Sequence, residues 1–101
     1  MQPGYTPGYA VGMSEVQVVN NETAHRFEAG AAFLSYHVKP GEITLIHTEV
    51  PAEMEGRGIG GKLARAALDY ARTAHMRVVA MCPFVSEYVK RHPEYEDLIR
   101  K

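Results

Sequence analysis

Four glycines within the seven residues 56–62 (Gly-Arg-Gly-Ile-Gly-Gly-Lys) constrain this chain more than any other stretch. They lie between a β-like run ending at Val50-Pro51 and a helical pattern beginning near Gly58. Glycine at a helix start costs stability relative to alanine, so a cluster of them needs a reason. Glycine enters positive φ freely and carries no side chain to hold a ligand away, so such a loop can wrap N–H groups around an anion. Where the loop opens a helix, the helix dipole also favours negative charge. Lys62 adds a cation one turn in. A helix entry that is merely rich in glycine is the plainer alternative.

Two general phosphate-binding patterns overlap here, and both are weak. Gly56, Gly58 and Gly61 read as G-x-G-x-x-G, the dinucleotide fingerprint. That motif asks for an acidic residue about 20 residues on, at the end of the next strand. Met81-Cys82-Pro83 stand there instead. Gly56, Gly61 and Lys62 also fit G-x-x-x-x-G-K, but Leu63 follows where a Ser or Thr would hold magnesium.

The flanking pattern predicts a mixed sheet. Val16, Val18 and Val19 form a first strand, and Asn20-Asn21-Glu22 turn the chain. Arg26-Phe27-Glu28 is a second strand, stopped by Gly30, and residues 31–38 a third. Lys39-Pro40-Gly41-Glu42 closes a hairpin into a fourth strand over 43–50. Connections this short make the four strands antiparallel neighbours. Ile59, Leu63, Ala66, Tyr70 and Ala74 then recur at helical spacing, with Lys62, Arg65, Asp69 and Arg72 on the opposite, solvated face. The apolar run 77–82 reads as a buried parallel strand, which makes strand, helix and strand a right-handed crossover. The glycine loop thus sits at the carboxyl end of the fourth strand, where open α/β sheets bind ligands. A short helix over 84–91 ends before His92-Pro93, and Tyr95, Leu98 and Ile99 supply packing in the last stretch.

At 101 residues one domain is expected, and residues 13–101 carry it. Residues 1–12 echo Pro3-Gly4-Tyr5 in Pro7-Gly8-Tyr9, lack hydrophobic periodicity, and read as a flexible tail. A formal charge of −1 argues against nucleic acid or an anionic membrane as a bulk partner. No apolar run is long enough to cross a bilayer, and the start lacks the pattern of a secretion signal. A single cysteine makes no internal disulfide and suits the reducing cytoplasm. His25, His37 and His75 are scattered without metal-ligand spacing, so no metal is expected.

Three blocks in one order carry a family resemblance. They are His47-Thr48-Glu49-Val50-Pro51, the Gly-x-Gly-Ile-Gly loop at 56–60, and Cys82-Pro83-Phe84-Val85 followed by Tyr88 and His92-Pro93-Glu94-Tyr95. Together they resemble the smallest single-domain branch of the GNAT N-acetyltransferase superfamily, across residues 47–95 and back to about Val16. The resemblance implies an α/β GNAT-like fold, with antiparallel N-terminal strands and a parallel β-α-β crossover at the cofactor cleft. It implies acetyl transfer from acetyl-CoA to an amine-bearing acceptor, a small molecule or a protein, by a monomer or weak homodimer. In that family Gln/Arg-x-x-Gly-x-Gly/Ala holds the pyrophosphate of coenzyme A. Gly58 and Gly60 fill its glycine positions, and Glu55 stands where Gln or Arg is usual. The pyrophosphate would then lie on N–H groups of Arg57, Gly58, Ile59, Gly60, Gly61 and Lys62. The pantetheine arm would run beside Val50 like an added strand. Phe84 would line the cofactor, and Lys90 or Arg91 would meet the adenosine 3′-phosphate.

Larger GNATs use an Asn after the strand at 77–82 and a Tyr in the next helix. Here Cys82 stands near the first position, and Val89 near the second with Tyr88 one step away. Cys82 either carries the acetyl group, as proposed for this branch, or lines the thioester pocket while the amine attacks directly. Buried packing is its plain alternative. His47 and Glu49 share one strand face, and either is placed to take the amine's proton. Tyr88 and Tyr95 are candidate acids for the thiolate and equally good packing residues. Two other functions stay open: a non-catalytic CoA or acyl-CoA binder, and a different nucleotide-phosphate binder.

Overall fold

Along residues 32–36 burial alternates: Ala32, Leu34 and Tyr36 are buried while Phe33 and Ser35 are only half-buried. Phe27 and Ala29 in the strand before, and Ile43 and Leu45 in the strand after, join the buried set. Alternating strands bury one face. The computed structural model describes residues 16–99, so the expected tail at 1–12 lies outside the described residues. The elements are β1 (Val19–Asn21), β2 (Arg26–Ala29), β3 (Ala32–Lys39), β4 (Glu42–Glu49), a 3-10 turn (Ala52–Met54), α1 (Ile59–Thr73), β5 (Arg77–Ala80), α2 (Pro83–Arg91) and a 3-10 segment (Pro93–Leu98). They build one five-stranded sheet in the order β1-β2-β3-β4-β5. The first four strands are antiparallel, and β4 and β5 are parallel. This is the expected α/β mixed sheet.

The first strand lies later than the sequence suggests. Val16 and Val18 pack against the core ahead of it, and the strand contains the two asparagines expected to turn. Both are held by their side chains. Asn20 Oδ1 accepts the Tyr36 hydroxyl at 2.6 Å, and Asn21 Oδ1 accepts the Ala24 N–H at 3.1 Å. Asn21 therefore closes the turn at 22–25 from just outside it, a local bond asparagine makes readily.

The α1 stripe is also rotated from expectation. Ile59 and Leu63 are buried as expected, but the buried arc continues through Ala64, Ala67, Leu68 and Ala71. Ala66 and Tyr70 sit at its edge, and Ala74 is exposed at the C-cap. A helix lying flat on a sheet covers a wide arc, and three alanines in it bring the backbone close. α1 packs on β2 to β5 and against α2.

Arg72, on the face expected to be solvated, fastens the C-terminal segment. Its guanidinium donates to both carboxylate oxygens of Asp97 at 3.0 Å and to the Glu94 carbonyl at 2.8 Å. Beside it the Tyr95 hydroxyl donates to Asp69 at 2.7 Å. Tyr95 and Leu98 are buried, and Ile99 bridges Val78. Hydrogen bonding from Arg72 holds the Asp97 carboxyl below its ordinary range. A depressed folded-state value contributes stability above the unfolded value, lost as pH falls through the folded one. Asp97→Asn should therefore lower the melting temperature at neutral pH, and the gap from the parent should close on the acid side of the carboxylate range. Equal melting temperatures at neutral pH would show that the clamp contributes nothing.

Candidate active site

The parallel pairing of β4 with β5 runs only from Glu42↔Arg77 to Leu45↔Ala80. There the Leu45 carbonyl accepts the N–H groups of both Met81 and Cys82, each at 3.0 Å. One carbonyl taking two successive donors means that the chain has turned out of the ladder. That is why β5 stops short of the expected Cys82. Cys82 stays extended and Pro83 opens α2, where its missing N–H is not needed. β4 meanwhile continues through residues 46–49 with no β5 partner. The register against β3 slips at the same place: Tyr36 opposes Leu45 but Ser35 opposes His47, which leaves Ile46 as a bulge.

A cleft of about 490 Å³ opens where the two strands part. Thr48, Glu49 and Val50 form one wall, and Gly56, Gly58, Ile59, Gly60 and Gly61 form the other, with Met54, Glu55 and Phe84 completing it. Gly58 is the α1 N-cap at φ 73° and ψ 16°, left-handed backbone that favours glycine. No side chain caps the helix. The Lys62 N–H bonds the Gly58 carbonyl at 3.1 Å, so it belongs to the helix ladder. The N–H groups of Ile59, Gly60 and Gly61 precede that bond, where a helix start has no carbonyl of its own ladder to offer. Arg57 is exposed and does not line the cleft. Gly60 is glycine for a different reason: a Cβ there would stand 2.9 Å from the Phe84 ring.

His47 and Glu49 meet at the mouth, Nε2 to Oε1 at 2.9 Å, both exposed. Glu49 lines the cleft, whereas His47 does not and reaches it only through its bond to Glu49. The Phe33 ring stands edge-on to His47 at 6.2 Å, and the Arg26 guanidinium lies 4.3 Å over Phe33. Cys82 is buried, at 3% exposure, with Sγ 3.3 Å from Thr48 Oγ1. The wall is Thr48, and the thiol lies behind it. Thr48 falls between His47 and Glu49 in sequence, but alternation sends it to the other face of β4, so their pattern gives it no role.

Tyr88 does not join this group. Burial pushes its phenol up, and its ring stacks on His92 at 4.1 Å. It borders a second cleft of about 530 Å³ that shares only Gly61 and Phe84 with the first. Tyr95 is a packing residue, its hydroxyl pushed up to about 12 by burial and then by Asp69. Lys90 pairs with Glu87 at 3.4 Å, away from the cleft. Among the described residues no cluster of His, Cys, Asp or Glu is built to hold a metal, and no helix is long and apolar enough to cross a membrane.

A sheet that parts over a glycine-rich helix entry agrees with the family comparison. The model of the GCN5-related N-acetyl-transferase family matches residues 22–98. This chain belongs to that family. Its fold is similar to the NMR structure of a GCN5-like protein from Staphylococcus aureus, with TM-score 0.67 and 28% identity, covering 86% of this chain and 90% of that one. The chain is also similar to Protein NATD1, at 38% identity over 63 residues in Homo sapiens and 34% over 71 in Danio rerio. Those matches cover 62% and 68% of this chain, and 56% and 64% of the respective relatives. The chain thus spans less than two thirds of the curated relatives it matches.

The packing of Phe84 on the loop is testable by a double-mutant cycle. Gly60→Ala should destabilise by about 1 kcal/mol through overpacking, and Phe84→Ala in the same chain should remove most of that cost. Gly58→Ala should cost about 1 kcal/mol in either background, because its cost is left-handed backbone. Denaturant unfolding measures each, and additive losses at 60 and 84 would refute the contact.

Proposed function

We propose that this GCN5-related chain moves an acetyl group from acetyl-CoA to an amine acceptor. The observation that carries the reading is the parted β4–β5 edge facing an uncapped, glycine-walled helix start across one cleft. N–H groups of Ile59, Gly60 and Gly61 would hold the pyrophosphate, with dipole and backbone acting together. The unpaired edge of β4 up to Val50 would take the pantetheine amides as a further strand. Acetyl-CoA supplies the activated acyl group. Glu49 takes the acceptor's proton, and His47, hydrogen-bonded to it, passes that proton towards solvent. Direct attack fits better than an acetyl-Cys82 route, because the thiol is buried behind Thr48. The single free thiol fits a cytoplasmic setting.

One observation favours a second reading, a non-catalytic CoA or acyl-CoA binder: neither Tyr88 nor Tyr95 lines the cleft to protonate a thiolate. Calorimetry should detect coenzyme A binding that ATP and NAD do not displace. Acetyl-CoA with a panel of small amines and lysine peptides should release free thiol, and Glu49→Gln should slow that release about 100-fold or more. Binding without thiol release across the panel would favour the binder, and displacement by ATP would favour another nucleotide.

A further inference from the structure

We propose that Thr48 is the hydroxyl that steadies the departing thiolate, and that buried Cys82 sets its direction. The proposal rests on the acetyl-CoA reading above and names a group that the tyrosines leave unsupplied. Thr48 lines the cleft on β4 with Oγ1 3.3 Å from Cys82 Sγ. A hydroxyl has one proton to give and two lone pairs to receive. When the Cys82 S–H donates to Oγ1, the hydroxyl's own proton is turned away from sulfur and freed for the cleft. Cys82, at 3% exposure, is thus a positioning residue.

The strand's alternation gives this arrangement its chemical sense. Thr48 opposes Leu34 on the helix-covered face, whereas His47 and Glu49 oppose Ser35 and Phe33 on the other. Base and hydroxyl therefore reach one cleft from the two faces of β4. As the acceptor nitrogen bonds to the acyl carbon, Glu49 takes the nitrogen's proton. The C–S bond breaks with its electron pair on sulfur, and Thr48 Oγ–H donates to that sulfur. The thiolate takes its proton from solvent after release, and no bond forms to Cys82. A hydrogen bond to an anion is roughly twice as strong as a neutral one, so the hydroxyl favours the departing state over the bound thioester.

The test compares coenzyme A with desulfo-coenzyme A, which lacks the sulfur, by calorimetry at pH about 9, where free thiols ionise. The parent should bind coenzyme A on the order of tenfold more tightly than the desulfo analogue. Thr48→Val should abolish that preference without weakening the desulfo analogue, and Thr48→Ser should keep it. Cys82→Ala should reduce the preference and Cys82→Ser restore it, which a merely packing cysteine would not do. Equal affinity for the two ligands in the parent, or a preference that survives Thr48→Val, would overturn the proposal. If the parent binds neither ligand, the acetyl-CoA reading itself fails and takes this with it.

Discussion

The Leu45 carbonyl, shared between the N–H groups of Met81 and Cys82, is the interaction on which the rest of the architecture depends. A parallel strand that stayed in register would cover β4 to its end, and no backbone would remain for a ligand. By taking two donors at one point, Leu45 ends the ladder while keeping both N–H groups satisfied, that of buried Cys82 included. The chain then leaves through extended Cys82 into Pro83, which fixes the start of α2. The Ile46 bulge on the other side of β4 bends the same stretch. Two adjustments within two residues of β4 thus open the cleft.

The core keeps that opening in place. α1 lies on the sheet through small side chains at 64, 67 and 71, so its first turn comes close to the end of β4. Met54 closes the base of the cleft, and Phe84 lies across Gly60 between the two cavities. Arg72 and Asp69 tie the C-terminal segment to α1, and Tyr95 and Leu98 complete the helical layer. The helix-covered face therefore supplies rigidity and carries Thr48, while the other face of β4 presents His47 and Glu49. A site on a rigid strand needs less ordering on binding than one on a loop.

Much of this is legible in the sequence. Pro40-Gly41 and the alternation in β3 and β4 give the hairpin, and the glycines between an apolar strand and an amphipathic helix give the ligand loop. Of the blocks that carry the GNAT resemblance, 48–50, the glycine loop and Phe84 meet at the cleft, while Tyr88 and His92 border the second cleft and Tyr95 packs in the core. The asparagines of β1 mislead because their turn-forming bonds are made from inside a strand. The α1 stripe misleads because alanine counts little in an apolar pattern yet marks the closest packing. Thr48 is hidden by its type, a hydroxyl amid charged neighbours, and only its approach to Cys82 marks it. Tyr88 falls on the far side of Phe84, an angular fact about α2 that spacing alone does not carry.

In the function proposed above, the parted β4–β5 edge and the first turn of α1 together form one ligand site. Amide chemical shifts followed by NMR during a titration with coenzyme A test it most directly. The largest shifts should fall at residues 46–50 and 58–61, with β1 and β2 unmoved. Shifts gathered instead around Tyr88, Arg91 and His92, with the β4 edge silent, would contradict it.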